Sequence, residues 1–154
     1  CTYDPPSVSL SITPSTIIRG QSITLTYSAS GVGLNSADLT DVGNPGYSGT
    51  ATLQPDNTKT YTYTVCGTGG CTSNAKSVTV YIPPEITLLL SNSSIVAGQC
   101  TTLSWSTTGD GDTINWVSTN INNFNLTSQE QVCPTDTRSY TAYVTGLGAT
   151  RRSS

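Results

Sequence analysis

The chain repeats itself, and the length of the repeat fixes the number of domains before any strand is assigned. Pro5-Pro6 recurs as Pro83-Pro84, 78 positions later, and the residues that follow hold that offset without a gap as far as Tyr27 and Trp105. Gly20-Gln21-Ser22-Ile23-Thr24-Leu25-Thr26-Tyr27 lies over Gly98-Gln99-Cys100-Thr101-Thr102-Leu103-Ser104-Trp105, and further on Gln54-Pro55 and Tyr61 lie over Cys133-Pro134 and Tyr140. The 154 residues thus hold two copies of one small domain, each near the lower limit of what buries a core alone. Copy one closes with the alternating run Lys76–Ile82, whereas copy two reaches Arg151-Arg152-Ser153-Ser154 with no counterpart of that run. The second domain is therefore expected to lack its last strand.

Composition narrows the class. Charged residues are 10% of the chain, His and Met are absent, and Ser, Thr and Gly are abundant, which describes an all-β extracellular protein. Six basic residues against a net charge of −3 leave no basic stripe for nucleic acid. The apolar run near Ile86–Leu90 is far short of the roughly 20 residues of a membrane span. With no initiating Met and no leader, the chain reads as secreted and already processed, although a trimmed chain would look the same. The expected location is extracellular or at the cell surface.

No enzyme is expected. General acid–base chemistry needs a group poised near neutral pH, and here there is no His and nine scattered carboxylates. Asp38 and Asp41 differ by three in a strand-like run and point to opposite faces, and Asp110-Gly111-Asp112 reads as a turn. Two carboxylates fall well short of a calcium shell, and the cysteines lack the partners a zinc site needs. No metal or cofactor is expected.

The five cysteines instead suggest staples. Cys66 and Cys71 flank the tight loop Gly67-Thr68-Gly69-Gly70, so a hairpin brings them face to face. Cys100 opens a strand at the position of Ser22, and Cys133 stands where copy one has Gln54. The predicted pairs are Cys66–Cys71 and Cys100–Cys133, one of fifteen ways of leaving one of five cysteines free. Cys1 is left over, as a free thiol, an intermolecular disulfide or a lipid-bearing residue.

Short β-rich runs separated by turn signals, with no helical periodicity, predict sandwiches. In copy one strands are expected near Ser7–Thr13, Ser22–Ser28, Ala37–Asp41, Gly49–Leu53, Lys59–Cys66 and Cys71–Ile82. In copy two they are expected near Glu85–Leu90, Cys100–Ser106, Thr113–Ser118, Glu130–Val132 and Ser139–Thr145. Alternation turns Ile23, Leu25 and Tyr27 inward, and with them Thr101, Leu103 and Trp105. Three runs recur in both copies: Pro5-Pro6-Ser7-Val8-Ser9-Leu10 with Pro83-Pro84-Glu85-Ile86-Thr87-Leu88, Ile17-Ile18-Arg19-Gly20-Gln21 with Ile95-Val96-Ala97-Gly98-Gln99, and Thr58-Lys59-Thr60-Tyr61-Thr62 with Thr137-Arg138-Ser139-Tyr140-Thr141. In these runs the chain resembles bacterial immunoglobulin-like domains over nearly its whole length. The resemblance implies two tandem immunoglobulin-like β-sandwiches, 5–82 and an incomplete 83–154, behind an N-terminal segment 1–4. It implies no activity, because such domains serve as spacers, adhesins, fibre subunits and carbohydrate-facing modules. Pro83 and Pro84 make the junction semi-rigid.

Laying Pro5-Pro6 on Pro83-Pro84 sets Cys1, Thr2, Tyr3 and Asp4 on Thr79, Val80, Tyr81 and Ile82, the end of a last strand that belongs to no domain of its own. Those four residues are the candidate donor strand. The candidate acceptor edge is Ser139, Thr141, Tyr143 and Thr145, with Asn92, Ser94 and Val96 on its other side. The expected function is that of a filament subunit polymerising head to tail with itself, in a manner similar to donor-strand pili. A frayed terminus and a trimmed last strand are the competing reading. A surface adhesin or carbohydrate-binding module, with Tyr3, Tyr47, Trp116 and Phe124 as an aromatic platform, is the alternative function. Asn92 and Asn125 head candidate N-glycosylation sequons, and the many Thr residues are candidates for O-linked sugar.

Overall fold

The computed structural model describes residues 2–117, 121–147 and 149–154, apart from the side chains of Asp112 and Ala149. All regular structure among them is β, and the chain divides into two compact units, Cys1–Tyr81 and Ile82–Ser154.

In the first unit, β1 (Ser7–Thr13), β3 (Ile23–Ser30) and β5 (Ser48–Leu53) form one antiparallel sheet in the order β1-β3-β5. The second sheet has the order β2-β7-β6-β4, from β2 (Thr16–Ile18), β4 (Ser36–Leu39), β6 (Lys59–Gly67) and β7 (Gly70–Tyr81). Here β7 pairs antiparallel with β6 along its length, and its last residues pair parallel with β2. Alternation does what the sequence implies: Ile23, Leu25 and Tyr27 are buried while Thr24, Thr26 and Ser28 face out. Tyr61, Tyr63 and Val65 on β6 and Val78 and Val80 on β7 close the core from the opposite sheet.

Two of these phenols carry a pH consequence. Burial pushes the hydroxyls of Tyr61 and Tyr63 above the ordinary tyrosine pKa of about 10. The folded domain thus holds its protons longer than the unfolded chain, so their contribution is intact below pH ~10 and is lost as pH rises through the folded values. Thermal unfolding followed by tyrosine circular dichroism is expected to show the first domain losing stability only above that pH. A midpoint already falling between neutrality and pH ~9 would contradict this.

In the second unit the sheets are β8 (Glu85–Leu90), β9 (Thr101–Thr108) and β11 (Ser128–Val132), in the order β11-β9-β8, and β10 (Gly111–Trp116), β12 (Ala142–Gly146) and β13 (Ala149–Ser153), in the order β10-β12-β13. Trp105, Ile114, Ala142 and Val144 fill its core. The rings of Trp105 and Trp116 meet edge to face with centroids 4.8 Å apart.

The last strand of the second domain is present as β13, which corrects the sequence expectation that it is missing. β13 pairs with β12 from Gly146↔Ala149 to Ala142↔Ser153, as β7 begins with β6 at Gly67↔Gly70. Ser153 therefore matches Asn74, and what lies beyond Ser154 would match Lys76 onward. Two acceptor residues are withdrawn in consequence. Tyr143 and Thr145 are already paired, with Arg152 and Thr150. The dependence is mutual, because a ladder needs both rails. β6 starts at Lys59 but β12 only at Ala142, and Ser94–Val96, the counterpart of β2, forms no strand.

Both predicted disulfides are present, Cys66–Cys71 and Cys100–Cys133. Copy one holds the second position with a hydrogen bond instead, from Gln54 Nε2 to Ser22 Oγ at 3.1 Å. The 33-residue separation of Cys100 and Cys133 closes much more chain than the separation of 5 between Cys66 and Cys71. On loop entropy, replacing Cys100 and Cys133 by serine is expected to destabilise the second domain by about 3–4 kcal/mol, and replacing Cys66 and Cys71 to destabilise the first by about 2 kcal/mol. Urea unfolding of the two double variants checks the order; equal losses would contradict it.

Candidate functional site

The two copies differ most where β7 runs on and β13 stops. In the first domain Val78 is wholly buried, Val80 nearly so, and Ile17 on β2 is 2% exposed beneath them. In the second domain Ser154 matches Ala75, ahead of those valine positions. Ile95, the counterpart of Ile17, is half-buried, Val96 is 69% exposed, and Leu90, the counterpart of Ile12, is 37% exposed. The space left open is a cleft of about 590 Å³ between Leu88–Leu90, Leu103, Tyr140 and Ser154. An adjoining cleft of about 300 Å³ reaches along Ser93–Ile95 to Thr137.

The walls are held in place. Val96 N–H donates to Gln99 Oε1 at 3.1 Å and Gln99 N–H to Val96 O at 2.9 Å, repeating the turn in which Ile18 and Gln21 bond one another in copy one. Gly98 permits that turn with φ 82°. Thr101, buried at the position of Ile23, donates its hydroxyl to Asn92 O at 2.9 Å and accepts from Asn92 N–H at 3.1 Å. Gly98 N–H bonds Pro134 O at 3.0 Å, tying this wall to the turn that carries Thr137 and Arg138. No buried side-chain polar atom among the described residues lacks a partner. The cleft is therefore a formed slot of mixed polar and apolar lining.

Of the predicted acceptor residues, Asn92 and Ser94 line this cleft and Val96 stands exposed beside it. Ser139 lines the larger space and Thr141 is buried next to β12. Leu88–Leu90 and Thr137 were not foreseen as part of the edge. The matching apolar run Val8–Ile12 reads in sequence as an ordinary inward strand, and only the missing valines turn its counterpart into a wall.

The predicted donor is placed in part. Cys1 lies outside the described residues. A Cβ on Gly69 would overlap the carbonyl oxygens of Tyr3 and Asp4, so this backbone is docked on the first domain's own β6–β7 hairpin. Asp4 and the Tyr3 carbonyl are thus no loose arm, which narrows the donor to the residues ahead of that carbonyl; the Tyr3 side chain is 51% exposed. The start of the second copy is anchored on a different turn, between β9 and β10: Ile82 N–H donates to Asp110 Oδ2 at 2.6 Å and its carbonyl accepts from Asp110 N–H at 2.9 Å, immediately after Tyr81 has finished β7.

The remaining candidates resolve into structure. Asp41 adopts a left-handed turn, φ 64°, and its carboxylate binds Lys59, whose ammonium is held above its usual pKa chiefly by that hydrogen bond. Asp110 serves the Ile82 anchor, and no group of three or more metal-ligating side chains occurs among the described residues. The aromatic platform is not assembled within either domain. Tyr47 packs on the first core and Trp116 on Trp105, and Phe124 is exposed. Asn92 and Asn125 are both exposed, in loops. No helix among the described residues is long and apolar enough to cross a membrane.

No protein-family profile and no curated protein matches the chain. Solved structures similar to it include an I-band fragment of titin, at 18% identity and TM-score 0.55 over 97% of this chain and 63% of that one. A second titin fragment matches at 13% identity and TM-score 0.58 over 96% of this chain and 95% of that one. Each copy has an immunoglobulin-like fold. The eight N-terminal immunoglobulin domains of Down Syndrome Cell Adhesion Molecule match at 16% identity and TM-score 0.55, over 97% of this chain and 24% of that one. This immunoglobulin-like pair thus spans a quarter to under two thirds of several such chains, and at these identities the likeness is one of fold.

Proposed function

We propose that this pair of immunoglobulin-like domains is the structural subunit of an extracellular filament, in which the segment before Pro5-Pro6 of one copy adds as a strand to the second domain of the next. The observation that carries the reading is the open cleft in the second domain at the place that Val78 and Val80 fill in the first. An added strand would gain three or four backbone hydrogen bonds at about 1 kcal/mol each, and about 1.5–3 kcal/mol for each apolar side chain it buries. Donor and acceptor are different surfaces, so the contact is heterologous and propagates as a filament wherever its rotation does not close. Two disulfides and the scarcity of charge fit an oxidising, extracellular setting.

The test is negative-stain microscopy and light scattering of the 154-residue chain beside a version lacking residues 1–4. Filaments from the first and monomers from the second are expected. Monomers from both would overturn the proposal, as would filaments from both. The second reading, a surface adhesin or carbohydrate-binding module, draws on the 60% exposed Phe124, which follows in sequence the Asn123 whose carbonyl accepts from Trp116 Nε1–H. Binding of the monomer on a glycan array would favour it.

A further inference from the structure

The bonds that seat the end of β7 in the first domain specify how a strand would sit in the second. Thr79, Val80 and Tyr81 run parallel to β2, opposite Thr16, Ile17 and Ile18. Three further bonds fix the register: Thr79 N–H to Ser15 O at 2.9 Å, Val80 N–H to Thr58 Oγ1 at 2.9 Å, and Arg19 N–H to Tyr81 O at 2.8 Å. The repeat carries Ser15, Thr58 and Arg19 onto Ser93, Thr137 and Ala97. All three line the open cleft.

The chemistry of the slot points to the occupant. Ile23 and Val80 belong to one apolar cluster in the first domain. In the second, the position of Ile23 is taken by Thr101, which lines the cleft, and the repeat places Thr2 on Val80. The two apolar positions thus become threonine together, one in the wall and one in the segment that precedes Pro5-Pro6. Building on the strand-addition reading, we propose that the cleft takes this segment of a second copy in one parallel register: Cys1 opposite Ser94, Thr2 opposite Ile95 and Tyr3 opposite Val96. Thr2 N–H then meets the Thr137 hydroxyl. Pairing also directs side chains, because Thr16 and Thr79, which model Ser94 and residue 1, are both exposed. Opposed exposed positions in adjacent strands lie within reach of a disulfide.

Ser94→Cys in the full chain, left to oxidise and run on a non-reducing gel, reads the register directly. A reducible ladder of dimers and higher multiples is expected, and it is lost when Cys1→Ser is added. Val96→Cys, two residues along, and Thr16→Cys, whose partner position is taken by Thr79, are expected to stay monomeric on the gel. A ladder from Val96→Cys or Thr16→Cys as strong as that from Ser94→Cys overturns the register. Filaments seen by microscopy without a Ser94→Cys ladder also overturn the register and leave the filament reading standing. Neither ladder nor filaments overturns both.

Discussion

A second copy of Lys76–Ile82 appended directly after Ser154 is expected to stabilise the second domain and to abolish assembly. The register needs no linker. Gly146↔Ala149 reproduces Gly67↔Gly70, so Ser154 stands where Ala75 does and the next residue takes the place of Lys76. The two appended valines then enter the space between Leu88, Leu103 and Tyr140. Burying them contributes about 3–6 kcal/mol, and the new backbone bonds about 1 kcal/mol each. Ordering the tail opposes this by about 1–2 kcal/mol per residue, which offsets most of the gross gain, so a modest rise in the unfolding midpoint is expected. Both tryptophans of the chain, Trp105 and Trp116, lie in the second domain, so their fluorescence during urea unfolding reports that domain alone. Light scattering of the same sample reports assembly. An appended tail whose two valines are aspartate should give neither effect. An unchanged midpoint together with undiminished assembly would show that the cleft is not where copies meet.

The parts of this arrangement that could be read from sequence are those fixed by local chemistry. Ile23, Leu25 and Tyr27 alternate with Thr and Ser, and that period alone turns them inward. Cys66 and Cys71 face each other because a hairpin between them leaves no other geometry, and Cys133 revealed its partner by standing where Gln54 reaches Ser22. What stayed hidden depends on distant partners. Thr16–Ile18 is a strand only because β7 passes alongside, and Ser94–Val96, with a similar composition, is none. The run Ala149–Ser153, with its two arginines, reads as a solvated tail, yet it pairs over five residues because β12 offers it an edge. Arg152 also lies over the Tyr143 ring, 5.9 Å from its centroid. The cleft is the extreme case, since Leu88, Leu103 and Tyr140 on its walls read in sequence as ordinary inward residues.

Trp105→Ala is expected to cost the second domain about 3–5 kcal/mol, more than any other single truncation in that domain. The ring is 2% exposed and packs edge to face on Trp116. Its Nε1–H donates to Asn125 O at 2.8 Å, while Trp116 Nε1–H donates to Asn123 O at 2.9 Å, so the two indoles together hold the loop that carries Phe124. Removing Trp105 therefore opens a cavity, forfeits the ring contact and deprives a carbonyl of its donor. Trp116→Ala is expected to cost less, because that ring is only half-buried. Urea unfolding followed by the fluorescence of the remaining tryptophan measures both; equal losses would mean that the loop bonds and not the buried ring carry the energy. The position also links folding to assembly. Trp105 is paired with Leu88 on one side and Ser128 on the other, next to the Leu103 that floors the cleft. A domain weakened there should lose its acceptor, and combining Trp105→Ala with the appended strand separates the two effects. Stability should return toward that of the unmodified chain while assembly stays absent, because the slot is then filled from its own chain.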